Sequence, residues 1–235
     1  MPAGGFARRR AEWRREQGVA LSLHRWRSLD RYIQLVLSWR DRLNLTGVRT
    51  EEDAARVLVG EALGCLPFLP ERGVLVDVGS GSGTPGIPIA VARPGLHVVL
   101  VEASRKKAGF LEVALRELGL RSADVICARA EALGRSAAHR ERYDAATARA
   151  VAPLPVLAEL VLPLVKIGGV AVLPRGPSAG AALRGAAGAV RELGGAGEVH
   201  AGHMVVVHKI AATPPAYPRR PGVPARRPLG APVRG

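Results

Sequence analysis

The chain has 235 residues, a formal net charge of +14 and an isoelectric point near 11.2. Apolar residues make up 48% of the chain, so one α/β domain with short additions could bury a sizeable core. Such a charge favours a polyanionic partner, either nucleic acid or an anionic membrane surface. Because only 4 of the 34 basic residues are lysines, part of the charge also reflects a composition rich in Arg, Ala, Gly and Pro.

Membrane, secreted and metal-binding proteins are disfavoured. The longest apolar stretch, residues 151–165, contains Glu159 and three prolines, whereas a span needs about 20 mostly apolar residues. No apolar run near the N-terminus is long enough for a signal peptide. The cysteines stand far apart, and no Cys or acid completes a metal site with His200, His203 and His208. We expect a cytoplasmic monomer without a metal.

The first part of the chain predicts helices. Residues 1–28 form a basic extension, a candidate for disorder, with seven arginines against two glutamates among residues 1–27. Apolar residues then recur every three or four positions, which predicts a helix over 29–42, and a second helix is expected over 51–66. We assign residues 29–70 to a helical N-terminal subdomain.

Residues 71–212 alternate between short apolar runs and helical patterns. Continuous apolar strands separated by helices are typical of a mostly parallel sheet covered by helices on both faces. The predicted strands cover residues 74–76, 98–101, 125–127, 145–148, 170–173 and 204–207, the last continuing to 210. The predicted helices cover residues 87–92, 110–118 and 156–165. Gly168 and Gly169 indicate a turn, and residues 176–197 a weak helix at best.

Residues 213–235 form a tail of different composition. Positions 214–235 hold seven prolines, five arginines and no acidic residue. Such a segment cannot fold on its own. It is expected either to lie over the domain or to contact a polyanion.

The glycine-rich stretch DVGSGSGTPGIPIA, residues 77–90, joins a predicted strand to a predicted helix. Gly81, Gly83 and Gly86 satisfy G-x-G-x-x-G, and Glu102 follows at the distance that a dinucleotide fold requires. Asp77 favours another ligand, because a carboxylate at the strand end would repel a pyrophosphate. S-adenosylmethionine carries no phosphate but an ammonium and a sulfonium, so we favour this methyl donor over a dinucleotide.

Several motifs together resemble the RsmG (GidB) family of small-subunit rRNA methyltransferases. They include Asn44-Leu45-Thr46, the glycine-rich stretch, residues 104–111 (SRKKAGFL), Ala130-Glu131, residues 147–150 (TARA) and a closing tail motif over residues 217–229. The resemblance covers about residues 29–230. It implies a class I, Rossmann-like fold with an N-terminal helical extension. It also implies methyl transfer from S-adenosylmethionine to N7 of a guanine in the 530 loop of 16S rRNA, as naked rRNA or in the small subunit.

The resemblance also assigns residues. The glycines would line the methionine end of the cofactor with Thr84 at the tip, Glu102 would bind the ribose, and Arg149 would position cofactor and RNA as the catalytic residue. The cofactor set comprises Asp77, Gly79, Gly81, Gly83, Thr84, Glu102, Ser104, Ala130, Glu131 and Arg149, with Ala130 and Glu131 at the adenine. The RNA set comprises Lys106, Lys107, Arg175, Arg219, Arg220, Arg226 and Arg227.

Two positions depart from the family pattern. Thr84 replaces a bulky apolar residue, and residues 56–61 read RVLVGE where the family usually has an Arg-His-Ile-x-Asp-Ser-like segment. Guanine N7 has a free lone pair, so the reaction needs positioning rather than a strong base. The alternatives are a catalytically degenerate RNA-binding relative, an NAD-dependent oxidoreductase and a small-molecule methyltransferase.

Overall fold

A seven-stranded sheet organises the residues that the computed structural model describes, which are residue 13 and residues 20–230. The strand order is β3-β2-β1-β4-β5-β7-β6. Strands β1 to β5 are parallel to one another, and β7 is antiparallel to both of its neighbours, β5 and β6. The strands are β1 Gly73–Val78, β2 Leu96–Glu102, β3 Ala123–Cys127, β4 Tyr143–Thr147, β5 Val165–Pro174, β6 Gly195–His200 and β7 Met204–Lys209. The predicted α/β class with a mostly parallel sheet is confirmed.

Helices cover both faces of this sheet. The α-helices are α1 Leu23–Leu43, α2 Glu51–Ala54, α3 Glu61–Leu63, α4 Gly86–Ala92, α5 Arg105–Leu118, α6 Ala130–Leu133, α7 Leu154–Val161, α8 Ala179–Glu192 and α9 Val223–Arg226. Two 3₁₀ turns cover Leu66–Phe68 and Gly176–Ser178. None of the helices in the described ranges is long and apolar enough to cross a bilayer.

Alternate strand residues divide the core into two layers. Leu75 and Leu100 pack with α1, α4 and α5 on one face, while Val76 and Val99 pack with α7 and α8 on the other. This alternation is the period-2 pattern of strands buried on both faces. The cluster on the first face also contains the buried residues of α1, so the helical N-terminal segment shares the main core.

The first helix is longer than predicted. Ser22 caps α1 by accepting a hydrogen bond from the Arg25 N–H, so the helix begins inside the predicted basic extension. It ends where Asn44 adopts a left-handed conformation, φ 49°. Residues 1–12 and 14–19 of that extension lie outside the described residues.

The second predicted helix is interrupted by a wider turn. Between α2 and α3, the segment Ala55–Gly60 is a π-helix, and such turns are frequent at functional sites. It coincides with the segment that departs from the family pattern. A Cβ at Gly60 would lie 3.1 to 3.3 Å from the Trp13 indole, so a larger residue there would displace this ring.

Two predictions for the second half of the sheet are wrong, and one strand was not predicted. Residues 179–192 form a full helix, α8, because alanine is the strongest helix former and Ala186 and Val190 bury one face. Gly168 and Gly169 lie within β5, at a register irregularity, rather than in a turn. The unpredicted β6 is glycine-rich but pairs along its whole length with β7.

Candidate functional site

A cavity of about 1020 Å³ opens at the carboxyl edge of the parallel strands. Its walls include segments that directly follow β1, β2, β3 and β4, and the strand order reverses between β1 and β4. Open α/β sheets bind ligands at such a switch point. Leu45 and Thr46 of the Asn-Leu-Thr motif also line the cavity.

The glycine loop after β1 presents bare backbone to this cavity. Gly79, Gly81 and Gly83 have φ values of 73°, 53° and 94°, in the left-handed region that favours glycine. A Cβ at Gly79 would lie 2.6 Å from Val151, so a side chain there would clash with the wall opposite. Gly79 and Gly81 line the cavity, whereas Gly83 packs behind the loop against Ile87.

Asp77 lies behind the loop rather than on the cavity wall. Its side chain is completely buried, and Oδ2 accepts a hydrogen bond of 3.2 Å from the Gly86 N–H. Oδ1 has no hydrogen-bond partner among the described residues. Burial raises the pKa of Asp77 to about 7, and the negative charge of Glu102 adds to this shift. The arrangement gives Asp77 a place in holding the loop to α4, and its side chain does not line the cavity.

Glu102 lies on the cavity wall at the end of β2, the position that its place after a predicted strand indicated. Its Oε2 accepts a hydrogen bond of 3.0 Å from the Gly81 N–H, and its Oε1 accepts one of 2.8 Å from the Ser104 N–H. These bonds fix the carboxylate beside the glycine loop. Ser104 itself caps α5 through the Lys107 N–H and does not line the cavity.

The far end of the cavity contains Ala130 and Glu131. Residue Glu131 is only 3% exposed, and its Oε1 accepts hydrogen bonds of 2.9 Å from Arg129 Nη2 and from the Gly222 N–H. Although burial acts to raise the pKa of Glu131, these hydrogen bonds outweigh it and hold the pKa below its usual value. The carboxylate therefore joins the tail to the end of the cavity.

Arg149 lies at the mouth, on the loop after β4. Its Nε donates to Glu61 Oε2 at 2.6 Å, which links the loop to α3. Ala150 has φ 53°, and the side chain of Val151 remains 37% exposed inside the cavity. Arg175 does not line the cavity but donates to the Ala152 carbonyl at 3.0 Å. The loop after β4 is thus held at Arg149 by Glu61 and at Ala152 by Arg175.

Thr84 connects the glycine loop to the π-helix. Its hydroxyl donates to the Leu58 carbonyl at 2.7 Å, and its side chain is buried at the cavity wall. A bulky apolar residue could not make this bond. The two departures from the family pattern, Thr84 and residues 56–61, therefore contact each other.

The seven predicted RNA contacts fall into two groups. Lys106, Arg220, Arg226 and Arg227 are exposed, and Lys107 lines the cavity. Arg219 instead donates from its backbone N–H, Nε and Nη2 to Glu159, which is fully buried. With Arg175 bonded to the Ala152 carbonyl, the structure commits two of the seven side chains to contacts within the protein.

The structure adds several residues that the sequence analysis did not single out. Glu61, Val151 and Gly222 contact Arg149, Gly79 and Glu131 across large sequence separations. The sequence offered one indication of this kind: Glu61 is the only acidic residue in an otherwise apolar run. Glu198 also lies 2.8 Å from His200 and 3.2 Å from His208, an acid that sequence spacing did not reveal. Within the described residues, no group of three or more potential ligands could hold a metal ion.

Comparisons with known proteins agree with this geometry. Residues 25–194 match the family model GidB, rRNA small subunit methyltransferase G. Proteins named ribosomal RNA small subunit methyltransferase G from Rubrobacter xylanophilus and Pelotomaculum thermopropionicum are 44% and 41% identical. These alignments cover 90% and 93% of this chain, and 87% and 96% of the relatives.

Solved structures are similar in fold alone. A precorrin-6y C5,15-methyltransferase from Geobacter metallireducens has a TM-score of 0.50 at 17% identity, covering 72% of this chain and 95% of its own. A putative S-adenosylmethionine-dependent methyltransferase from Methanococcus maripaludis has a TM-score of 0.52 at 11% identity, with coverages of 68% and 90%. The family model and the sequence relatives decide the assignment: the chain belongs to the GidB family of small-subunit rRNA methyltransferases.

Proposed function

We propose that this protein transfers a methyl group from S-adenosylmethionine to N7 of a guanine in the 530 loop of 16S rRNA. The observation that carries the proposal is the cavity at the switch point, where a bare glycine loop faces a fixed Glu102 carboxylate. The family supplies the reaction class and the methyl donor.

The residues present fit this donor better than a dinucleotide. In dinucleotide folds the N–H groups at the start of the helix after the glycine loop bind a pyrophosphate. Here the Gly86 N–H, at the start of α4, donates to Asp77 Oδ2. The Ile87 N–H donates to the Gly83 carbonyl. Because these donors are occupied and a carboxylate stands beside them, the helix start offers little to a pyrophosphate.

The donor and the acceptor base would occupy opposite sides of the switch point. Glu102, at the end of β2, would accept hydrogen bonds from the ribose hydroxyls, and the adenine would lie at Ala130 after β3. The glycine loop after β1 would hold the methionine end. The acceptor base then has to approach from the β4 side, where Arg149 and Val151 face the cavity.

The chain itself has to position the base rather than remove a proton. When bound, S-adenosylmethionine supplies an electrophilic methyl group on its sulfonium. Guanine N7 carries an in-plane lone pair and no proton, so a general base is not required. Arg149, oriented by Glu61, would hold the acceptor, and the exposed side chain of Val151 would give the base an apolar surface.

Basic residues near the mouth suit the rRNA backbone. Arg49, Lys107 and Arg129 line the cavity, and Arg226 and Arg227 are exposed on the adjoining tail. Phosphate contacts of this kind would position the loop without reading its sequence. The base must be unstacked to reach the donor, as enzymes that act on bases require. We also propose that the enzyme acts as a monomer, in the cytoplasm with the ribosome.

The test is transfer of labelled methyl from S-adenosylmethionine to small ribosomal subunits that lack this modification, with naked 16S rRNA assayed in parallel. Cleavage at N7-methylguanine then maps the modified base. We expect label at one guanine of the 530 loop. Label at another base would overturn the acceptor assignment. Binding of S-adenosylmethionine without any label would instead indicate a binding-only relative.

A further inference from the structure

The C-terminal tail is firmly attached beyond the part of the chain that the family model matches, which ends at residue 194. Arg140 donates to the carbonyls of Thr213, Pro214 and Tyr217 at 2.6 to 3.2 Å. Arg135 donates to the Pro218 carbonyl at 3.0 Å. These backbone contacts do not depend on the tail's side chains, so they fix its path across the domain.

A buried ion pair attaches the next part of the tail. Glu159 on α7 is fully buried, and Arg219 binds both of its carboxylate oxygens at 2.5 to 3.1 Å. Removing the arginine would leave a buried charge without its partner, which is strongly unfavourable. Arg219 therefore holds the tail in place rather than facing solvent.

The tail then reaches the cavity. The Gly222 N–H donates to Glu131, directly beside Ala130, and the short helix α9 follows. Pro224 and Ala225 of α9 line the cavity together with Ala128 and Ala130. Oε1 of Glu131 accepts from both Arg129 and the Gly222 N–H, so this oxygen is committed to holding the tail. The neighbouring surfaces of Ala128, Ala130, Pro224 and Ala225 offer apolar contact to a flat base.

We propose that residues 222–225 form a wall of the cofactor site, with Pro224 and Ala225 packing against the adenine. Glu131 then acts as a positioning residue that holds this wall, in place of the direct adenine contact that the resemblance implies. The inference rests on the orientation of the donor proposed above. It changes the role of the tail from an RNA arm alone to a part of the methyl-donor site.

The direct test narrows the cavity at this wall. Ala225→Trp would place a large side chain where the adenine is expected, while Ala216→Trp adds the same ring at an exposed tail position away from the cavity. Calorimetric titration with S-adenosylmethionine and with adenosine should show at least about tenfold weaker binding of both for Ala225→Trp. We expect Ala216→Trp to bind like wild type, and both variants to retain the wild-type melting temperature without ligand.

A second pair of variants, Gly222→Ala and Gly230→Ala, tests the wall without a large added side chain. Gly222 and Gly230 both have left-handed φ values, 79° and 73°, and open space where a Cβ would stand. Alanine at either position carries a similar backbone strain, because both backbones are left-handed. Only Gly222→Ala should weaken binding of S-adenosylmethionine, by roughly fivefold or more, because only Gly222 is bonded to Glu131 beside the cavity.

The outcomes separate the two proposals. Unchanged affinity in both Ala225→Trp and Gly222→Ala, with normal binding by wild type, would overturn the wall and leave the donor site intact. A wild-type protein that binds no S-adenosylmethionine would overturn the proposed function itself. Weaker binding in the cavity variants, with the two controls unaffected, would establish the wall.

Discussion

The donor side and the mouth of the cavity are held together over very different distances in the sequence. On the donor side, Glu102 accepts from Gly81, 21 residues away. At the mouth, Arg149 pairs with Glu61, 88 residues away, and at the adenine end the Gly222 N–H donates to Glu131, 91 residues away. The glycine loop of the donor side is thus fixed by local geometry, whereas the mouth and the tail are fixed by polar contacts that join separate segments. Substitutions on the two sides should therefore affect different measurements.

The largest expected effect is on the donor side. Asp77→Ala removes the acceptor of the Gly86 N–H and leaves a buried donor unpaired, at a cost of up to about 3 kcal/mol. We expect methyl transfer to fall by about 100-fold or more, through weaker binding of S-adenosylmethionine. Asp124→Ala, in the exposed Asp124–His97 pair, serves as control. Wild-type activity in Asp77→Ala would disprove the role of this carboxylate.

The same carboxyl should make the stability of the fold dependent on pH. Its pKa is raised from 3.8 to about 7, so between these values the folded state binds more protons than the unfolded state. The free energy of unfolding should fall as pH rises from about 4 to about 7, by up to about 4 kcal/mol. Urea unfolding of wild type and Asp77→Asn isolates this contribution. If the free energy of unfolding depends on pH in the same way in both proteins, Asp77 does not have a raised pKa.

In the tail, the Arg219–Glu159 pair should act on stability. Arg219→Ala leaves Glu159 buried without its partner, and we expect a loss of about 3 kcal/mol in the free energy of unfolding. Arg220→Ala, at the next position and exposed, should change it by less than about 0.5 kcal/mol. Equal effects of the two substitutions on denaturant unfolding would argue against this role of the pair.

The pair at the loop after β4 should act on turnover. Glu61→Gln removes the charge that orients Arg149, in a partly exposed ion pair worth about 1 kcal/mol. We predict about fivefold slower transfer, with the Kd for S-adenosylmethionine nearly unchanged. Glu117→Gln breaks the exposed pair with Arg31 and provides the matched control. A weaker Kd with unchanged turnover would place Glu61 on the donor side instead.

The smallest effect concerns RNA binding. The double variant Arg226→Ala, Arg227→Ala removes two exposed charges next to the cavity wall, and the salt slope of RNA affinity should decrease by about 1.5. The control double variant Arg116→Ala, Arg121→Ala removes the same charge from exposed positions near the start of β3. That is the amino end of the parallel strands, opposite the cavity. If both double variants reduce the slope equally, the tail arginines have no special place in RNA binding.

The sequence predicted the glycine loop and Glu102 better than the contacts at the mouth and along the tail, for a physical reason. Strands, the glycine loop and Glu102 depend on apolar runs and on left-handed backbone, which short patterns reveal. The partners of Arg149, Arg219 and Glu131 depend on the packing of distant segments, and no local pattern encodes them. The same limit explains why Arg219 resembled a free tail arginine, and why β6, stabilised by its pairing with β7, was not predicted.

The most direct test is a crystal structure of the protein with S-adenosylhomocysteine. It reports both sides of the cavity at once. We expect the adenine between Ala130 and Pro224, the ribose hydroxyls on Glu102, and the homocysteine end at the glycine loop facing Arg149. An adenine on the β4 side, or a ligand outside this cavity, would contradict the division between donor side and mouth.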